Sequence, residues 1–162
     1  MSMLLFAAAV VVAAASPPAS SCKPAENRQL DFWLGDWHAQ WDGGEGTNRI
    51  AKSYGGCVIE EHFDGRPGMA LMGHSVSVYL APEKRWRQTR VDNEGGYIDL
   101  AGGPMPNGDF VLTTLPRAGS AEASRMIFTD IKRESFTWRW QGTRDGKTWA
   151  DKWVIRYTRM KA

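Results

Sequence analysis

Histidine and cysteine are scarce in this chain: three histidines and two cysteines occur among 162 residues. His38, His62 and His74 show no spacing that sets two of them on one metal ion, and Cys22 and Cys57 form no zinc pattern, so no metal centre is expected. An excess of charge of one sign is missing too. Twenty Lys and Arg stand against 18 Asp and Glu, a formal net charge of +2. That balance argues against an electrostatic nucleic-acid binder, which needs a basic face. There is no Gly-x-Ser-x-Gly, no phosphate-loop pattern and no dinucleotide fingerprint. No Ser or Thr is set beside a His and an Asp in a way the sequence identifies, so no catalytic residue is assigned. Internal repeats are absent as well.

The apolar run Met3 to Ala15 is too short to span a bilayer as a helix, which takes about 20 residues. It fits the core of a secretory signal, with Ala13-Ala14-Ala15 as a small-residue cleavage site, although no Lys or Arg precedes it. The reading is a signal peptide and tail over 1–21 and a single β-barrel domain over 22–162, with the barrel proper over about 30–159. The protein is expected to be periplasmic or secreted. Cys22 then has three open fates: a lipid anchor, a disulfide to Cys57 in an oxidising compartment, or a place in a loose tail while Cys57 is buried and free.

What the chain does have is tryptophan, eight residues of it, and a succession of short alternating segments. Ala25 to Leu34 carries Leu30, Trp33 and Leu34 at helical spacing and predicts one short helix stopped by Gly35. From there the period is two. Strands are expected at Asp36–Trp41, Thr47–Tyr54, Cys57–Phe63, Ala70–Leu80, Arg85–Asp92, Tyr97–Gly102, Asp109–Leu115, Arg125–Ile131, Glu134–Gln141 and Thr148–Arg159. Asn107-Gly108 and Asp145-Gly146 are strong hairpin dipeptides. Joins this short cannot carry parallel crossovers. The expected fold is all-β: an up-and-down antiparallel barrel of about ten strands with one short N-terminal helix.

Alternation also selects the groups that face inward. Glu61 shares a face with Ile59 and Phe63, and Gln88 and Arg90 share one with Trp86 and Asp92. Arg125 alternates with Ile127 and Ile131, and Asp151 with Trp153, Ile155 and Tyr157. Phe136, Trp138 and Trp140 form an aromatic row. In the fourth strand the apolar count favours the row of His74, Val76, Val78 and Leu80 as the inner one. The alternative is Gly73, Ser75, Ser77 and Tyr79. A buried carboxylate needs a partner. Either Glu61 faces Arg90 or Arg125 across a pocket, or bulges carry these groups to solvent at the mouths, or they form a structural ion pair.

Gly35-Asp36-Trp37 resembles the Gly-x-Trp that opens the first strand of lipocalins. The wider pattern is Asp31-Phe32-Trp33-Leu34-Gly35-Asp36-Trp37, Gly56-Cys57, Glu61, Trp86-Arg87-Gln88, Val91-Asp92 and Gly96. It resembles an uncharacterised family of small bacterial calycin-like barrels, grouped with lipocalins, fatty-acid-binding proteins and nitrobindins. The resemblance implies a structural clasp in which a basic residue of the last strand, Arg159 or alternatively Arg156, packs over Trp37 beside Gly35. It implies no activity. Nitrobindins hold haem through a C-terminal His, and no His follows His74 here, so no cofactor is expected.

The favoured function is binding or carrying a small hydrophobic or amphipathic molecule, with Glu61, Gln88, Arg90, Arg125, Trp138, Trp140 and His74 as ligand-binding residues. One rival is a small isomerase, cyclase or hydratase that uses Glu61 or His74 as acid or base. The other is an envelope protein whose barrel is filled.

Overall fold

Alternating rows of large apolar and polar side chains are satisfied when one face of each strand is enclosed, and closing the sheet leaves no edge. The computed structural model, which describes residues 22, 25–116 and 119–161, shows such a closed sheet. Its strands are β1 (Gly35–Trp41), β2 (Gly44–Ser53), β3 (Val58–Asp64), β4 (Met72–Leu80) and β5 (Arg85–Asp92). They continue as β6 (Tyr97–Pro104), β7 (Phe110–Thr114), β8 (Ala123–Thr129), β9 (Ser135–Thr143) and β10 (Ala150–Arg159). Each pairs antiparallel with its sequence neighbour, and β10 pairs with β1 to close the ring. The expected ten-strand meander is therefore present. Among the described residues no helix is long and apolar enough to cross a membrane.

Some boundaries differ for local reasons. The turn expected over Asp42–Gly46 shrinks to Asp42-Gly43, because Gly43 takes φ +80° and Gly44 and Gly46 join the ladder with β1. Gly46 has no room for a side chain, since the backbone of Asp64 and Gly65 crosses over it. The short helix before β1 consists of two 3-10 turns, Ala25–Arg28 and Asp31–Trp33. Its apolar residues plug one end of the barrel. Leu30 and Trp33 are buried, Phe32 packs edge-on against Phe128 and Phe136, and the Trp86 indole donates to Gln29 Oε1 at 3.1 Å.

Cys22 and Cys57 form a disulfide with Cα atoms 5.1 Å apart. It ties the plug segment to the β2–β3 connection. A sulfur in a disulfide carries no thioether, so this bridge and a lipid on Cys22 exclude each other. The signal segment and its cleavage site lie outside the described residues.

Three polar groups expected to face inward face outward, His74 and Arg125 with their rows. In β4 the inner row is Gly73, Ser75, Ser77 and Tyr79, so His74 is on the outer surface, opposite His62 of β3. In β8 the core takes Met126 and Phe128. Arg125 points out, bonded through Nε to Gln141 Oε1 at 2.8 Å and lying 4.0 Å from the ring centre of Trp149. In β10 the register shifts between Asp151 and Trp153. Lys152 is the extra residue of this bulge, and Asp151 turns outward to meet Arg139 and Gln141.

Candidate functional site

The plugged end is held by the clasp. Trp37 is fully buried and donates its indole N–H to the Trp33 carbonyl at 2.7 Å. The Arg159 guanidinium carbon lies 4.1 Å from the centre of the Trp37 ring, a cation–π geometry. Its Nη1 donates to the Leu34 carbonyl at 2.8 Å and its Nε to the Arg133 carbonyl at 2.9 Å. Gly35, Trp37 and Arg159 thus join the N-terminal segment, β1 and β10. Arg156 is exposed and takes no part.

The inner polar cluster lies in the middle of the barrel, and Trp33 of the plug borders it. One cross-strand row runs Ile50, Glu61, Ser75, Arg90, Ile98 over five strands. Glu61 is 8% exposed. Asn48 Nδ2 donates to its Oε1 at 2.8 Å and Ser75 Oγ to its Oε2 at 2.6 Å. Both oxygens of the buried carboxylate are therefore satisfied by neutral donors. Asn48 Nδ2 also approaches the Tyr157 hydroxyl at 3.4 Å. Burial and then the Glu61 charge push the Tyr157 phenol far up, against the Asn48 bond and the Arg90 charge, so it stays protonated.

Arg90 is placed differently. Its guanidinium lies over Gly73, where a Cβ would collide with it, and 6.0 Å from the Phe63 ring centre. Its Nε is enclosed and has no hydrogen-bond partner. Glu61, Arg90 and Tyr157 line one chamber with Phe63, Trp138 and Trp153. The chamber holds only about 10 Å³, roughly the room of one water. Trp153 lines it, meeting Trp41, Phe63 and Trp138 edge-on at 5.5, 5.8 and 5.7 Å. Trp140 stacks on Trp138 at 6.3 Å and an angle of 7°. Beyond it a cleft of about 400 Å³ opens at the barrel mouth, with Ile98, Thr114, Leu115 and Ser124 among its walls.

Of the expected ligand-binding residues, Glu61, Arg90 and Trp138 meet at the chamber, and Trp140 joins it to the mouth. Gln88 faces inward but deeper, donating to Ser77 Oγ at 2.9 Å. His74 and Arg125 are outside. Asn48, Gly73, Ser75 and Tyr157 are site residues that sequence reasoning missed. The signal for Gly73 and Ser75 was their register against Phe63, Glu61 and Arg90: small residues stand where large inner neighbours need room. A scan against protein-family models gives no match, and a search of curated proteins gives no significant match.

Proposed function

We propose that this barrel binds a small amphipathic molecule with an anionic head. The observation that carries the reading is the contrast between the buried Glu61 and the half-buried Arg90. Glu61 already has a donor on each oxygen, while the enclosed Nε of Arg90 has no partner. An unpaired buried donor is costly, and a carboxylate or phosphate matches the guanidinium fork. The apolar part would lie along Trp138 and Trp140 toward the mouth cleft. The aromatic group around Trp153 would have to swing aside, since the resting chamber holds no more than a water. Membership of the small bacterial calycin-like family and a periplasmic or secreted location belong to the same proposal.

A second reading rests on the small chamber volume: a filled barrel with a structural or interaction role. A tryptophan-fluorescence titration with decanoate and palmitate separates the two. The binding reading expects saturable quenching by the wild type and loss of affinity in Arg90→Met, with the fold retained. A flat titration for the wild type supports the filled barrel. Native mass spectrometry of protein from its own host then looks for a retained acid.

A further inference from the structure

Outside the barrel, on the face opposite Glu61, His62 of β3 stands directly across from His74 of β4. Their ring centres are 4.5 Å apart and the planes are inclined by 40°. The Nδ1 of His74 has no hydrogen-bond partner and is closed off from solvent, so it meets an ion only when the ring turns. Both rings border an outer hollow of about 410 Å³ with Asp64, Met72 and Asn93. We propose that His62 and His74 form a two-imidazole site for a divalent copper ion on the outer surface of β3 and β4.

Imidazole nitrogens bind first-row metals at about 2.0 Å, so two rings meeting one ion at a right angle have centres about 4.5 Å apart. A tetrahedral angle sets them wider. Right-angle nitrogen donors suit the tetragonal preference of Cu²⁺, which also heads the divalent affinity order. The hairpin supplies the pairing: facing residues of adjacent antiparallel strands bring their Cβ atoms within reach of a shared partner. The neighbouring carboxylates are engaged elsewhere, Asp92 through one oxygen only. Asp64 holds Arg66 through Oδ1 and Oδ2, and Asp92 Oδ1 accepts the amides of Glu94 and Gly96. Among the described residues no three His, Cys, Asp or Glu side chains converge on one point. The ion therefore keeps two positions from the protein and the rest from solvent or a small ligand in the hollow. This makes the site an exchangeable one.

The test uses the full chain without an affinity tag, stripped of metal and titrated with CuCl₂. Electron paramagnetic resonance at one equivalent should show a tetragonal Cu²⁺ with two nitrogen donors, with micromolar binding by calorimetry. Losing even a partner behind a metal ligand costs about tenfold or more in affinity, so His62→Gln and His74→Gln should each lose at least that. His38→Gln should bind as the wild type does, because His38 lies on β1 beside Glu45. Circular dichroism should show all variants folded. Copper binding that survives in the His62→Gln/His74→Gln double variant would overturn the proposal. So would a wild-type spectrum with a single nitrogen donor, or no uptake at all.

Discussion

The guanidinium of Arg159 occupies the space that a side chain at Gly35 would need. Gly35 also has φ +122°, a region that L side chains rarely adopt. Glycine and arginine are therefore one feature, since the missing Cβ is what lets Arg159 reach both the Leu34 carbonyl and the Trp37 ring. Gly35→Ala should destabilise by about 1–3 kcal/mol from strain alone, measured by urea denaturation. Trp37→Ala should cost about 3–5 kcal/mol through lost burial and a cavity. A Trp37→Ala protein that melts with the wild type would remove the clasp from the account.

The Cys22–Cys57 bridge spans 35 residues. In the chain-entropy picture a loop of that length contributes about 3–4 kcal/mol to stability. Cys22→Ser/Cys57→Ser should lower the denaturation midpoint accordingly. The plug residues 25–34 should then lose amide-exchange protection before the strands do. Equal protection with and without the bridge would show that Leu30 and Trp33 alone hold the plug.

Alternation was enough to find Glu61 and Arg90, because each lies in a strand whose two faces differ clearly. It failed in β4 for a steric reason. The outer row of Val76, Val78 and Leu80 is the more apolar one. The inner row is small and polar because Glu61 and Arg90 flank Ser75, and Ile59 and Gln88 flank Ser77. In β8 the outer row also holds a buried apolar residue, Ile127, which blurs the contrast with Met126 and Phe128 inside. The bulge at Lys152, which turns Asp151 outward, leaves no mark in composition. The disulfide needed the position of Cys22 relative to Cys57, which follows from tertiary packing.

Ser75→Ala removes one of the two donors to the buried Glu61 carboxylate. Leaving that oxygen unsatisfied should cost about 1–3 kcal/mol. Glu61→Gln keeps the shape and should fold. In the Glu61→Gln background Ser75→Ala should cost less, and a double-mutant cycle measures the difference. Additive losses would mean that the two groups do not interact.

Asp64 is held at a pKa of about 2, below its ordinary 3.8, chiefly by the side-chain hydrogen bond from Arg66. The carboxylate form is favoured in the folded state. Its contribution is thus fully present above the ordinary pKa and is lost as pH falls through about 2. A carboxyl-carbon NMR titration should find this midpoint. Arg66→Ala should return it towards the ordinary value, and an unchanged midpoint would assign the shift to another cause.

The central claim is that the unpartnered Arg90 Nε receives the head of an anionic ligand, and the Nε–H resonances of the arginines report on it directly. In a ¹⁵N-labelled sample titrated with decanoate, the Arg90 Nε–H signal should move in step with the indole signals of Trp138 and Trp140. The Nε–H signals of Arg125, already bonded to Gln141, and of Arg159, bonded to the Arg133 carbonyl, should stay in place. A saturating shift confined to Arg90 and the inner tryptophans is the result the account predicts. A spectrum unchanged by decanoate, or one in which all the arginines drift together, would contradict it.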